Sequence, residues 1–199
     1  MFRYVCLIVV LLIGTSIAWA NNDSFIFPGR EFSIGFYNKS VLPNSGIPLP
    51  HPLFWKSRAK VDNGLTFSYE YLVFHTKKYF SVNFGNSLSW WEIQSQSQVA
   101  LSFFFVLRFW LFRMDSFNPY IAWSIAGPTL LSRRTFDNAN LGGHFIFQDF
   151  LGIGVVIGRN HHVDISLKMY HYSNGDLFLN NAGFDVPTVL TVGYIFKPI

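Results

Sequence analysis

Apolar and polar residues alternate with a period of two along most of the chain. Between residues 65 and 73 every odd position is apolar or aromatic, and the even positions begin with Thr66, Ser68 and Glu70. The segment 99–111 carries only Val, Leu and Phe on its odd positions. Because successive side chains of an extended strand point to opposite faces, this period predicts β-strands with one apolar face and one polar or small face.

Eight such strands follow one another along the chain. Their predicted ranges are 30–38, 64–75, 78–90, 98–112, 117–130, 142–157, 161–174 and 185–197. The connections after the first, third, fifth and seventh strands form a longer set, at 39–63, 91–97, 131–141 and 175–184. Roughly 9–11 residues of a tilted strand cross a bilayer, and outer-membrane barrels alternate short periplasmic turns with longer outer loops. We therefore predict an all-β fold, an eight-stranded antiparallel transmembrane β-barrel with longer extracellular loops.

The first twenty residues predict a secretory signal peptide. Arg3 precedes an uncharged apolar stretch at 4–17, and Ala18-Trp19-Ala20 fits a small-x-small cleavage site. We expect residues 1–20 to be cleaved and residues 21–199 to form the barrel. The only cysteine, Cys6, lies in the removed part, so the mature chain is expected to fold without disulfides.

The composition agrees with a membrane barrel. Aromatic residues make up 19% of the chain and charged residues 13%, about half the roughly 25% of charged residues in a soluble domain. After the signal peptide no continuous apolar segment approaches the length of a membrane-spanning helix, so the apolar content is spread over alternating strands. These features predict the outer membrane of a Gram-negative bacterium as the location.

The charges restrict the partners that the chain could bind. The formal net charge is +4, and the basic residues are scattered, which argues against a nucleic-acid partner. Glu70 and Arg108 share the polar parity of their strands, so we expect them to pair inside the barrel, where a narrow lumen requires neutralised charges. No cluster of ligands with zinc spacing occurs, so no metal is expected. The sequence leaves the oligomeric state open, a homodimer included.

One pair of polar residues lies on a face that is otherwise apolar. In the seventh strand His171 and Ser173 continue the apolar parity of Val163, Ile165, Leu167 and Met169. Ionisable groups on a membrane-facing surface are costly and usually functional. A histidine beside a serine on this face predicts a general base and its nucleophile, directed at a lipid substrate near the outer leaflet.

The sequence around this pair resembles a known enzyme family. The segment His171-Tyr172-Ser173-Asn174-Gly175 is followed by Asn181-Ala182-Gly183 and by Asp185. This spacing resembles that of the lipid A 3-O-deacylase (PagL) family, and the resemblance extends from Phe147 to Tyr194. It implies an eight-stranded outer-membrane esterase that removes the ester-linked 3-hydroxyacyl chain at position 3 of lipid A (lipopolysaccharide).

The resemblance also assigns roles to residues and implies no cofactor. Ser173 would be the nucleophile, His171 the general base and Asp185 the acid, where the family usually has glutamate. Asn174, Gly175 and Asn181 would stabilise the oxyanion.

The alternation of the strands bears on the orientation of Asp185 and of a second carboxylate, Asp149. Asp185 shares parity with Val189, but the opposite face of the last strand is equally apolar, so the sequence leaves open whether Asp185 faces His171. Asp149 shares the outward parity of Phe147 and Leu151, at the outer rim of the sixth strand, where it could support the triad.

Two other functions remain compatible with the sequence. One is a noncatalytic barrel of the adhesin or structural type, whose long loops bind partners. The other is a different outer-membrane lipid enzyme, such as a phospholipase or an acyltransferase that passes an acyl group from Ser173 to an acceptor other than water.

Overall fold

The computed structural model describes residues 27–42, 57, 59–136, 139–158, 162–177 and 179–198. The predicted signal peptide at 1–20 and the prolines of the first long connection, Pro43, Pro48, Pro50 and Pro52, lie outside these residues. Over the described ranges, no helix has the length and apolar character needed to cross a membrane.

The described elements are eleven β-strands. Their bounds are β1 Pro28–Asn38, β2 Ala59–Lys60, β3 Asn63–His75, β4 Phe80–Ile93, β5 Gln96–Trp110, β6 Phe117–Leu131, β7 Thr135–Phe136, β8 Ala139–Asn140, β9 Phe145–Ile157, β10 Val163–Ser173 and β11 Phe184–Pro198.

Eight of these strands close into a barrel. Each of the eight pairs antiparallel with its neighbours in the order β1-β3-β4-β5-β6-β9-β10-β11, and β11 pairs back to β1. The short strand β2 pairs parallel with the beginning of β11, and β7 and β8 form a separate hairpin. The predicted all-β, eight-stranded antiparallel barrel is confirmed, and every strand bound lies within three residues of the predicted one.

The period of two in the sequence becomes the two faces of the barrel wall. In β1 the side chains of Phe32, Ile34 and Phe36 are exposed on the outside, whereas Glu31 and Ser33 are buried in the lumen. The same alternation runs around the wall, so large apolar side chains are exposed on the outside, and polar side chains are buried inside together with aromatic ones such as Trp91, Tyr120 and Phe150. An apolar exterior around buried polar and charged groups is typical of a barrel in lipid.

Buried charges neutralise one another in the lumen. Arg108 Nη2 donates to Glu70 Oε2 at 2.7 Å and to Glu31 Oε2 at 2.9 Å. Arg108 Nη1 lies 3.6 Å from an oxygen of Asp164, and Lys168 Nζ lies 3.6 Å from Glu70 Oε1. The predicted pairing of Glu70 with Arg108 is confirmed, within a larger network that ties β1, β3, β5 and β10 together across the lumen.

Replacing Arg108 by methionine should destabilise the barrel strongly. The substitution leaves Glu31 and Glu70 buried beside each other without their shared cation, and removal of one partner from a buried pair costs about 3–5 kcal/mol. Urea unfolding in detergent micelles, followed by tryptophan fluorescence, measures the change. Arg133→Met removes an exposed arginine and should leave the midpoint unchanged; equal midpoints for both variants would contradict the role of the network.

The strands β1, β4, β6 and β10 end at one end of the barrel, which we call the loop end. The connection after β4 differs from the prediction of a longer connection at 91–97. The strands β4 and β5 pair as far as Ile93 and Gln96, and a two-residue turn joins them in which Gln94 and Ser95 have φ of 51° and 63°. Trp91 and Ile93 are buried at this end, so packing of their side chains extends the hairpin into the segment that was predicted to be a loop.

Candidate functional site

The predicted nucleophile and base lie at the loop end of β10. Along this strand Asp164, Ser166 and Lys168 are buried in the lumen, and Ile165 faces outward with 37% exposure. His171 and Ser173 follow the outward parity of Ile165. Nevertheless His171 is only 4% exposed, because residues from other elements cover it on the outside of the wall.

Three ionisable side chains form a row across three neighbouring strands. In the sheet register His171 of β10 lies opposite Asp149 of β9 on one side and opposite Asp185 of β11 on the other. The row therefore places one imidazole between two carboxylates. Ser173 comes two residues later on the same face, opposite Phe147.

A bulge in β11 turns Asp185 toward His171. Lys168 pairs with Val189, but Tyr170, two residues later, pairs with Val186, three residues earlier. The extra residue of β11 shifts its alternation by one position. Val189 beyond the bulge and Val186 before it are both buried, so Asp185 lies on the outward face rather than on the lumen face that its parity with Val189 implies. Pro187 lies in this bulge, a position suited to a residue without a backbone N–H.

The resulting contact is a direct hydrogen bond between the base and the acid. His171 Nδ1 lies 2.8 Å from Asp185 Oδ1, and both side chains are largely buried. With the Nδ1 proton directed at a carboxylate, the neutral imidazole keeps an unprotonated Nε2. This is the tautomer that accepts a proton from a serine hydroxyl.

A second bulge fixes Asp149 on the other side of the imidazole. Between the pairs Ser124–Phe150 and Gly127–Gln148, two residues of β6, Ile125 and Ala126, oppose the single residue Asp149 of β9. Ala126 in this bulge has φ of 51°, and its backbone N–H donates to Asp149 Oδ1. The carboxylate is thus held by the neighbouring strand, beside the predicted base.

The loop after Ser173 is built around two asparagines. The Asn174 side chain is fully buried, and its amide donates to Leu141 O at 2.9 Å, while its Oδ1 accepts from Asp176 N at 2.9 Å. Asn181 Oδ1 accepts the backbone N–H of Asn174 at 3.0 Å, and Asn181 Nδ2 donates to Asp176 Oδ1 at 2.9 Å. These bonds tie Asn174, Asp176 and Asn181 to one another.

The predicted oxyanion groups fall into two kinds in this loop. The side-chain amides of Asn174 and Asn181 donate to Leu141 O and to Asp176 Oδ1, whereas Gly175 is exposed and has φ of 63°. A left-handed conformation favours glycine at this position, two residues after Ser173. The oxyanion roles of Asn174, Gly175 and Asn181 stay predictions.

One residue of the site was missed by sequence reasoning. Ser57, in the long first connection, places its Oγ 2.6 Å from Asp185 Oδ1 and 3.1 Å from His171 Nδ1. A serine among loop residues gives no sequence signal of this kind, since only the folded chain brings residues 57 and 185 together.

Over the part of the chain that the structure describes, no group of three His, Cys, Asp or Glu side chains is arranged to hold a metal ion. His161, one of the two adjacent histidines of the sequence, lies outside that part. The Nδ1 of His162 lies 2.6 Å from Ile195 O.

A comparison with known protein families found a match. Residues 60–194, more than half of the chain, match the model of the family described as lipid A 3-O-deacylase (PagL). No curated protein matches the chain.

The comparison with solved structures gives two outer-membrane proteins as matches. The crystal structure of the outer membrane enzyme PagL is similar with a TM-score of 0.58 at 18% identity, over 82% of this chain and 97% of that one. The outer membrane protein OprG from Pseudomonas aeruginosa is matched with a TM-score of 0.35 at 13% identity, over 85% and 90% of the two chains. The likeness to the PagL structure shows that the two chains share the barrel fold.

Proposed function

The chain belongs to the lipid A 3-O-deacylase (PagL) family, and we propose that it hydrolyses the ester-linked 3-hydroxyacyl chain at position 3 of lipid A by means of Ser173, His171 and Asp185. Membership of the family gives the coarser statement, an outer-membrane barrel that deacylates lipid A. The serine mechanism and its residues are the proposal.

The observation that carries the proposal is the hydrogen bond between His171 Nδ1 and Asp185 Oδ1 on the outer face of the wall. Buried carboxylate and imidazole groups on a lipid-facing surface oppose stability unless they are paired. Here a strand bulge brings them together at 2.8 Å, two residues from a serine on the same face. A structural strand end requires no such arrangement, whereas a hydrolase that acts on a membrane ester does.

The first half of the reaction forms an acyl-enzyme. His171 Nε2 takes the proton of Ser173 Oγ while this oxygen attacks the ester carbonyl of lipid A. The tetrahedral intermediate collapses as the carbon–oxygen bond to the sugar breaks, and Nε2 returns the proton to the leaving 3-oxygen. Asp185 holds the imidazole in the correct tautomer and stabilises its transient positive charge.

The second half restores the enzyme. A water molecule gives a proton to His171 Nε2 and attacks the acyl ester on Ser173, and the 3-hydroxy fatty acid leaves as the proton returns to Ser173 Oγ. Asn174 and Asn181, with backbone N–H groups around Gly175, are our candidates for stabilising the oxyanion of each step. Donors of this kind contribute about 10²–10³-fold to the rate.

An apolar strip beside the site is suited to the acyl chain. On the outward-facing parity of β9 and β10, the half-buried side chains of Leu151 and Leu167 pack against the buried Met169, next to the row of Asp149, His171 and Asp185. An acyl chain that lies along these residues would bring its ester to Ser173. The site would then lie level with the outer leaflet, with the loop end facing the exterior, where lipid A is present. A homodimer stays a prediction.

Purified lipopolysaccharide in detergent tests the proposed reaction. The refolded mature chain should release free 3-hydroxy fatty acid and reduce the lipid A mass by one 3-hydroxyacyl group, as measured by mass spectrometry. Phospholipid offered in parallel should remain intact. Hydrolysis of phospholipid, or a lipid A that gains mass, would instead identify one of the other lipid enzymes, and no change in either lipid would favour a noncatalytic barrel.

Gly183→Ala should reduce this activity without unfolding the barrel. Gly183 has φ of 60°, and a Cβ there would lie 3.1 Å from both Ser57 Oγ and Tyr172 O and 3.6 Å from His171 Cε1. The strain displaces the residues around the His171–Asp185 pair, and we expect a loss of about tenfold in kcat, since a misplacement of the order of 1 Å is costly. Gly158→Ala, also at positive φ but with no heavy atom near its Cβ, is the control and should retain full activity. Full activity of Gly183→Ala would contradict a closely packed site.

A further inference from the structure

Ser57 makes two polar contacts that the reaction described so far does not use. Its Oγ donates to Asp185 Oδ1 at 2.6 Å and lies 3.1 Å from His171 Nδ1, which itself lies 2.8 Å from the same carboxylate oxygen. Ser57 Oγ, Asp185 Oδ1 and His171 Nδ1 thus form a triangle at the Nδ1 edge of the imidazole.

We infer that Ser57 is a positioning residue of the esterase, which holds the Asp185 carboxylate and the Nδ1-protonated imidazole of His171 in the arrangement that hydrolysis requires. This inference rests on the proposed function. It adds a residue of the first long connection to the three proposed triad residues, which come from β10 and β11.

The hydrogen positions in the triangle support this role. The single proton of the Ser57 hydroxyl is directed at Asp185, because a carboxylate oxygen only accepts. The Ser57 oxygen is then left as an acceptor, and the Nδ1–H of His171 is shared between it and Asp185. Two donors on one oxygen fix the carboxylate rotamer, and two acceptors around one N–H fix the ring and its tautomer.

Main-chain hydrogen bonds next to Ser57 hold it beside Asp185. The strand β2, two residues after Ser57, pairs parallel with β11 so that Phe184 lies opposite Ala59. The backbone N–H of Val61 donates to the carbonyl oxygen of Asp185 at 3.0 Å. Asp185 is therefore bonded through its side chain to Ser57 and through its main chain to Val61.

Ser57 is placed to orient the base and the acid rather than to attack the substrate. It contacts Nδ1, the nitrogen that faces the acid, whereas the nucleophile must transfer its proton to Nε2. A hydroxyl that supports the acid is especially useful with aspartate at position 185, because this side chain is one methylene shorter than the glutamate usual in the family and has less freedom to reach the ring by itself.

Ser57→Ala should lower kcat for lipid A deacylation about 10- to 100-fold and leave KM within about twofold. The range corresponds to the loss of one hydrogen bond to a charged group. A merely structural serine would not separate kcat from KM in this way. Ser132→Ala is the matched control, since Ser132 is also a loop-end serine, with its Oγ bonded to the backbone N–H of Val99, and it should keep wild-type values.

A double-mutant cycle with Asp185 makes the test specific. If Ser57 acts through the acid, Ser57→Ala should cost less than about twofold in an Asp185→Asn background, measured over long incubations. Wild-type kcat for Ser57→Ala, a loss confined to KM, or the same loss in both backgrounds would overturn the inference. A wild-type chain that releases no acyl group overturns the proposed function and this inference together, whereas an active wild type with an unchanged Ser57→Ala variant overturns the inference alone.

Discussion

Ser173→Ala should abolish acyl release from lipid A, with a loss of at least about 10³-fold in kcat. The variant keeps the His171–Asp185 pair and the loop at 174–181, so substrate binding and oxyanion stabilisation remain, but no acyl-enzyme can form. Removal of the nucleophile from a serine hydrolase leaves only the small rate supplied by these remaining groups. The measurement is the initial rate of 3-hydroxy fatty acid release from lipopolysaccharide in detergent, with protein whose folded state is checked by its resistance to urea.

Two controls make this result interpretable. Ser132→Ala removes a hydroxyl at the same end of the barrel and should keep the wild-type rate. Ser173→Ala should also unfold at the wild-type urea midpoint, because Ser173 is only partly buried and its register partner is Phe147. A Ser173→Ala barrel that still releases acyl chains at the wild-type rate would show that the nucleophile is another group.

Asp185→Asn should lower kcat by about 10³–10⁴-fold while the barrel stays folded. An asparagine amide can donate to His171 Nδ1, which favours the tautomer with the proton on Nε2, and an imidazole of that form cannot accept the serine proton. The same change in a serine protease costs about 10⁴-fold for this reason. The rate of fatty acid release measures the loss.

Asp176→Asn provides the matched carboxylate control. Asp176 lies in the same loop-end turn, is exposed, and accepts a side-chain hydrogen bond from Asn181, so its loss should change kcat by less than about fivefold. If Asp185→Asn were as active as Asp176→Asn, then Asp185 would not be the acid, and Asp149 on the other side of His171 would be the carboxylate to test next.

The barrel could be predicted from the sequence because its physical cause is local. Each strand alternates between lipid and lumen, so the period of two is present in every segment and fixes which residues face inward. Glu70 and Arg108 were paired on this basis, and the structure joins them at 2.7 Å. The end of the β4–β5 hairpin is harder to predict from the sequence, because the turn at Gln94 and Ser95 depends on the packing of Trp91 and Ile93 inside the barrel.

The orientation of Asp185 could not be predicted because it depends on a single extra residue. Parity with Val189 places this side chain in the lumen, and the bulge near Pro187 reverses that result. The same holds for Asp149, whose carboxylate is bonded by a backbone N–H from the bulge at Ala126. A bulge is a property of two strands in register, so one strand's sequence does not reveal it.

Contacts between residues of different loops also could not be predicted from the sequence. Asn174 and Asn181 were recognised from the family spacing, but their bonds to Leu141 and Asp176 follow from how the loop closes. Ser57 belongs to no sequence pattern, and it precedes Asp185 by 128 positions in the chain. The motif thus predicts candidate residues of the site, whereas the hydrogen bonds between them depend on the fold.

The most direct test of the central claim is to locate the acyl group during turnover. Wild-type protein mixed with lipopolysaccharide and quenched in acid within the first turnover should carry a 3-hydroxyacyl ester on the peptide that contains Ser173, as measured by mass spectrometry, and Ser173→Ala should carry none. An ester on any other side chain, or lipid A deacylation by Ser173→Ala at the wild-type rate, would contradict the account.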